Sequence, residues 1–260
     1  MIGAIIGDII GSRFEFNNVL TYDQWGLFGN GCSYTDDTVC TLAIADAIVC
    51  GRRYDESLLE WCRLYPIVQG GYGGRFLSWI HSESPYPYNS FGNGSAMRVS
   101  PVAWAYDSLA DVKEEAEKTA SCTHNHPEGI KGAVAVAHAI WFFRKGWGRS
   151  LRDFIDTMQE YYPGFESGQY PVGRFDESCQ GTVPLCLQVI VRATNFEDAI
   201  RLAISHGGDS DTIGAIVGSI AEARFGIPPE ILNECTRYLD KRMLGTILKF
   251  QFTYQNKGRL

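Results

Sequence analysis

Apolar residues recur at helical spacing almost throughout this chain. They predict helices over about 37–50, 55–65, 95–107, 110–121, 127–145, 149–161, 180–193, 196–206, 211–225 and 228–245. At the start, MIGAIIGDIIGSRFEF sets Gly3, Gly7 and Gly11 four apart on one helix face, where missing side chains allow a neighbouring helix to come close. Residues 17–34 have no clear period and read as a loop. Three more stretches read as irregular: 69–95, rich in Gly, Ser, Pro and Tyr; 163–181; and the close of the chain, 249–260. Long irregular loops are uncommon in a compact domain and often carry function. No linker, compositional shift or solenoid-period repeat divides the sequence. The expectation is one domain over 1–260, all-α, with orthogonally packed helices and the irregular loops gathered around one site.

Two helices begin at acidic clusters. One run follows Tyr34-Thr35-Asp36-Asp37-Thr38; the other follows Gly207-Gly208-Asp209-Ser210-Asp211-Thr212. The plain structural account is capping: Thr35 in the first, Asp209 or Ser210 in the second, with the remaining aspartates complementing the helix dipole. Duplication argues for more. Four converging carboxylates repel one another unless a cation lies between them. Oxygen-only donors suit a hard divalent ion, magnesium first and manganese as the alternative. Thr35, Asp36, Asp37, Asp209, Asp211 and Thr212 are together enough for one or two such ions that keep several waters.

The bulk numbers narrow the classes. With 260 residues and 45% apolar content the chain is globular. A net charge of −7 argues against a duplex nucleic-acid surface. Eight cysteines without a Cys-x-x-Cys pair read as buried free thiols. Asp8 interrupts the short apolar start, no basic leader precedes it, and no other run reaches membrane-spanning length. A cytoplasmic monomer without membrane contact is expected.

Other segments are weaker taken singly. Gly70-Gly71-Tyr72-Gly73-Gly74 and Gly92-Asn93-Gly94-Ser95 precede helical runs, where free backbone N–H groups can hold phosphate. Tyr86, Tyr88 and Phe91 could stack on a base or simply anchor the loop. His124 and His126 lack a third nitrogen or sulfur partner, so zinc is poorly supported. His206 either joins the second acidic cluster or ends the helix before it. Glu15, beside a metal site, would be a candidate for positioning or activating water.

Taken in order, GDIIGSRFE (7–15), YTDDT (34–38), GGYGGRF (70–76), FGNGSAMR (91–98), THNHP (123–127) and GGDSDT (207–212) resemble the ADP-ribosylglycohydrolase family across nearly the whole chain. That family includes dinitrogenase reductase-activating glycohydrolases and arginine- and serine-directed ADP-ribosyl hydrolases. The resemblance implies an all-α fold with a binuclear magnesium centre at helix N-termini. Thr35, Asp36 and Asp37 match one ligand set; Asp209, Asp211 and Thr212 match the other, with Asp211 expected to be shared between the ions. Glu15 matches an acid that gates the site or positions water. Ser90, Phe91, Gly92, Asn93 and Gly94 match the loop that holds the diphosphate and stacks on adenine; Gly71, Gly73 and His124 match further ADP-ribose contacts. Phe91 stands where tyrosine is common, which should keep the stacking and lose a hydroxyl.

The implied activity is metal-dependent hydrolysis of the N- or O-glycosidic bond between ADP-ribose and an acceptor. The acceptor would be a protein side chain such as arginine or serine, or a small ADP-ribosyl conjugate. Glu15 and Asp36 are the candidates for handling the proton, with Asp211 the third catalytic candidate. A non-catalytic ADP-ribose-binding protein of the same fold is the alternative, disfavoured because every ligand position is filled. A helical isoprenoid synthase is disfavoured because Asp36-Asp37 is not followed by the third Asp of DDxxD.

Overall fold

The computed structural model describes residues 1–146 and 150–255, and their regular structure is helical. In chain order the α-helices are α1 (Ile2–Gly11), α2 (Asp36–Cys50), α3 (Tyr54–Leu64), α4 (Gly74–His81), α5 (Gly94–Met97), α6 (Ser100–Ala105), α7 (Leu109–Ser121), α8 (Pro127–Lys145), α9 (Leu151–Met158), α10 (Cys179–Arg192), α11 (Phe196–Ser205), α12 (Ser210–Phe225), α13 (Pro229–Cys235) and α14 (Lys241–Phe250). Among the described residues there is no strand, and an isolated antiparallel bridge joins Gly92 to Ser178. The fold is all-α. No helix among these residues is long and apolar enough to cross a membrane.

Two helices form the centre. α1 is buried along its whole length, and α12 is buried from Ser210 to Ala221. Helices this apolar on all sides must be enclosed by others, and α12 is packed by α1, α8, α10 and α11. The glycines on α1 meet α12 directly. A Cβ built on Gly3, Gly7 or Gly11 would collide with the carbonyl oxygens of Gly218, Gly214 and Ser210 respectively. The pairs run in opposite senses, so the helices are antiparallel with their backbones in contact, and the end of α1 lies beside the start of α12. α2 packs against α1, α3, α6 and α14, which brings its N-terminus to the same place. One buried apolar cluster draws residues from Met1 to Phe250.

The structure redraws several predicted boundaries. The expected helix over 95–107 is two short ones, because Pro101 sits in the first turn of α6 and restarts the helix. The stretch over 69–95 contains α4, an apolar-faced helix too short to stand out between glycines and the Ser-Pro segment. The expected helix over 228–245 breaks at Asp240, whose side chain accepts from the N–H groups of Arg242 (2.8 Å) and Met243 (2.9 Å) and starts α14 afresh. The close of the chain is helical rather than irregular up to a π-helical turn at Gln251–Gln255. Arg149, at the head of one expected helix, and residues 256–260 lie outside the described residues. All eight cysteines are free, and five are buried, with Cys40 and Cys62 touching at 3.9 Å between sulfurs.

Candidate functional site

Asp8 organises the first acidic cluster. It is fully buried on α1 and reaches across to the start of α2. Its carboxylate accepts from Thr35 N–H (3.1 Å), the Thr35 hydroxyl (2.8 Å), Thr38 N–H (3.1 Å) and the Thr38 hydroxyl. Thr35 in turn caps α2, its hydroxyl accepting from Asp37 N–H at 3.1 Å. The capping account is therefore correct for Thr35. It fails at α12, where Asp209 occupies the N-cap position without a side-chain capping bond.

The second cluster is delivered by a tight turn. Gly207 and Gly208 have φ of +71° and +85°, the left-handed region that glycine adopts without strain. Asn18, from the expected loop, clamps that turn. Its side chain accepts from Gly208 N–H (2.8 Å) and donates to the carbonyls of Gly208 (3.0 Å) and Glu15 (3.2 Å). Asp209 accepts from the Asn93 side chain at 2.7 Å. The two clusters touch: the Thr212 hydroxyl donates to Asp37 at 3.0 Å, across a sequence separation that no local pattern encodes.

Asp36, Asp209, Asp211, Thr212 and Glu15 face one cavity of about 450 Å³, within the range of about 300–1,000 Å³ common for small-molecule sites. Asp37 and Thr35 are buried and do not line it. Gly71 and Gly73 line it, as do Ser90, Gly92, Asn93, Gly94 and His124. Phe91 does not: it is 46% exposed and packs edge-on against His126, with ring centroids 5.4 Å apart. The Asn93 side chain is turned toward Asp209 and Thr182, and its N–H donates to the Glu177 carbonyl at 2.7 Å. His206 ends α11 outside the cavity, in a separate groove with Val172 and Leu202.

Several lining residues escaped the sequence reading. Arg98 is 1% exposed and donates to the Thr119 carbonyl (2.9 Å) and the Thr123 hydroxyl (2.8 Å), while its Nε has no partner. Arg75 donates to the Tyr88 carbonyl and lies over the Tyr88 ring, 4.9 Å from its centroid. Phe16, Phe175 and Glu177 form another part of the wall. Asp8 could have been found from sequence, since a lone carboxylate inside an all-apolar helix is rarely accidental. Asn18 and Glu177 carried no such signal.

Burial and crowding act together on the acids. Burial raises the Glu15 carboxyl to about 8, with the charges of Asp211, Asp8 and Glu177 adding to it. Burial also lifts Asp8 and Asp209 to about 6. Asp36, Asp37 and Asp211 are pushed well above the usual carboxylate range, by burial first and then by nearby charges: Asp211 and Asp8 act on Asp36 and Asp37, and Asp209 and Asp8 act on Asp211. Burial and the nearby Arg98 and Arg75 hold His124 well below the usual imidazole value, so it is neutral at neutral pH. Two buried oxygens, Asp211 Oδ1 and Glu15 Oε2, have no hydrogen-bond partner. Ligand atoms of Asp8, Asp37 and Asp211, and those of Glu15, Asp209 and Asp211, each fall within 4.8 Å of one another. Asp211 belongs to both sets. Orphaned oxygens, mutual repulsion and oxygen-only donors all fit a hard divalent cation.

A stability prediction follows. A carboxyl whose folded-state pKa is raised binds more protons folded than unfolded, so stability falls as pH rises from about 4 to about 8. EDTA-treated protein is expected to melt about 3 °C or more lower at about pH 8 than at about pH 5.5. Magnesium at the higher pH should recover the loss. Thermal scans that rise steadily toward pH 8 without magnesium would contradict this account.

The ADP-ribosylglycohydrolase family model matches residues 1–251. The chain is similar to the ADP-ribosyl-[dinitrogen reductase] glycohydrolase of Rhodospirillum rubrum, at 24% identity over 87% of this chain and 84% of that one. It is similar to ADP-ribosylhydrolase ARH3 of Danio rerio, at 26% identity over 87% and 82%. ADP-ribosylarginine hydrolase Tri1 of Pseudomonas putida (strain GB-1) is 24% identical over 88% and 71%. Among solved structures, an ADP-ribosylglycohydrolase-related protein complex shares the fold, with a TM-score of 0.75 at 22% identity over 97% of this chain and 95% of that chain.

Proposed function

Since the chain belongs to the ADP-ribosylglycohydrolase family and is an ADP-ribosyl glycohydrolase, we propose that it is a divalent-cation-dependent hydrolase releasing ADP-ribose from an N- or O-linked acceptor. One observation carries this reading: the carboxylates at the starts of α2 and α12 share a cavity with glycine-rich segments and two arginines. The reading takes residues 1–260 as one domain, since both clusters and the buried core draw on distant parts of the chain, and takes that domain to act as a monomer.

Asp36, Asp37, Asp209, Asp211 and Thr212 are the residues that would hold the cation or cations, with Thr35 and Glu15 at their edge. When bound, magnesium or manganese supplies a Lewis acid that orients vicinal ribose hydroxyls and acidifies a water. The chain's own groups do the rest. Arg75 and Arg98 offset the diphosphate charge, and the N–H groups around Gly71–Gly74 and Ser90–Gly94 orient it. Neutral His124 fixes a hydrogen bond without adding charge. Departure of the acceptor builds positive charge at the anomeric carbon, which the surrounding carboxylates stabilise. Glu15 is half-buried beside Asp211 and is the first candidate to hold the proton in transit; Asp36 is the second.

The test is a panel of ADP-ribosylated arginine, serine, nucleic-acid ends and O-acetyl-ADP-ribose, with free ADP-ribose quantified. Release from at least one conjugate with magnesium or manganese, lost on EDTA treatment and regained on metal addition, is expected. Release indifferent to EDTA would refute metal dependence. Tight ADP-ribose binding with no single-turnover release would favour a binding protein instead.

A further inference from the structure

A buried chain of hydrogen bonds runs behind His124. Thr123 and His124 directly follow α7, and their N–H groups both donate to the Ala120 carbonyl, at 3.1 Å and 2.7 Å. The Thr123 carbonyl accepts from Tyr88 N–H at 3.3 Å, so the backbone is held from two sides. The Thr123 side chain is fully buried. Its hydroxyl oxygen accepts from Arg98 Nη2 at 2.8 Å and lies 2.6 Å from His124 Nδ1. Among the described residues that hydroxyl has no third partner.

These contacts determine which ring nitrogen carries the proton. A guanidinium can only donate, so Arg98 occupies a lone pair of the Thr123 oxygen. The hydroxyl proton then needs an acceptor, because a buried donor left unpaired is costly. His124 Nδ1 is the acceptor within reach. The Arg98 bond also strengthens the hydroxyl as a donor, since linked hydrogen bonds polarise one another. Nδ1 therefore keeps its lone pair, and the neutral ring carries its proton on Nε2. Nε2 lies at the opposite edge of the ring, against the glycine loop. A Cβ built on Gly94 would stand 3.1 Å from it, and one on Gly92 3.4 Å. Among the described residues Nε2 makes no hydrogen bond. His124, Gly92 and Gly94 line the cavity, whereas Thr123 stands behind them.

An N–H at Nε2 can meet a ligand oxygen. The other tautomer would set a lone pair against that oxygen and repel it. Resting on the function proposed above, we infer that Thr123, held by Arg98, is a positioning residue: it fixes His124 as the Nε2–H tautomer, so that the ring donates a hydrogen bond to an oxygen of the bound ADP-ribosyl group. Thr123 touches no ligand in this arrangement. It acts through the ring, as the outer partner of a histidine sets the face that the histidine presents.

The experiment joins a spectrum to a titration, both with magnesium. Two-bond proton–nitrogen correlation spectra are recorded on the full chain carrying nitrogen-15 histidine, with the His124 signals assigned by their loss in His124→Gln. The wild type is expected to show a pyridine-type Nδ1 and a pyrrole-type Nε2. Thr123→Ser should keep that pattern, and Thr123→Val should give signals averaged between tautomers. Calorimetric titration with free ADP-ribose should show affinity weakened about tenfold in Thr123→Val and kept within about threefold in Thr123→Ser. A protonated Nδ1 in the wild type would overturn the inference without recourse to any variant. So would a Thr123→Val protein with the wild-type spectrum and affinity. Either result, in protein that binds ADP-ribose, leaves the function proposed above intact. Wild-type protein that binds no ADP-ribose would overturn both.

Discussion

Asp211→Asn is expected to cut turnover by at least about a thousandfold while leaving the helical circular dichroism intact. Asp211 belongs to both acidic groupings and has a buried oxygen without a partner. Its charge also bears on Glu15, Asp36 and Asp37. Asparagine keeps the shape and removes the charge, so cation binding should weaken sharply. The same change relieves repulsion, so the metal-free variant should melt no lower than the metal-free wild type. The two results together separate a functional carboxylate from a structural one. Turnover within about tenfold of the wild type at saturating magnesium would remove Asp211 from the mechanism, and a collapse in melting temperature would make its role structural.

Gly7→Ala should produce the largest loss of stability of any single methyl addition in the chain. The new carbon would meet the Gly214 carbonyl, a backbone group that cannot rotate away. Either α1 and α12 separate or the helices bend, and overpacking of this kind costs about 1–3 kcal/mol or more. In a chain of this size that is about 2–12 °C in melting temperature. Because α1 also carries Asp8 and leads into Glu15, magnesium affinity should fall as well. Gly245→Ala is the control. Gly245 lies within α14 with nothing within 4 Å of an added Cβ, so it should stabilise by up to about 1 kcal/mol. Equal melting temperatures for the two variants would show that the close helix contact does not matter.

The helices were legible where apolar period and capping chemistry agreed. α8 and α12 fall within one residue of their expected bounds, because Pro127 opens one and Gly226 closes the other. Reading failed where a short-range competitor intervened: Asp240 recapturing backbone amides, Pro101 restarting a turn, or α4 being only eight residues long. At the site, the acidic clusters were visible as motifs. The capping account for Asp209 looked as good from sequence as it did for Thr35, yet only Thr35 makes the bond. Phe91, matched to base stacking, instead packs on His126 outside the cavity wall. Side-chain direction in a loop depends on what packs behind it, and the bridge between Gly92 and Ser178 lies far away in sequence.

By itself the sequence determined the all-helical character, the paired acidic helix starts and the family. Each of these rests on residues within a few positions of one another, the range over which helix hydrogen bonds and caps act. Tertiary structure alone decided that Thr212 touches Asp37, that Asp8 binds the head of α2, and that Glu177 lines the same cavity as Glu15. Those meetings depend on α1 and α12 lying backbone to backbone, and such an approach is set by packing between segments about two hundred residues apart.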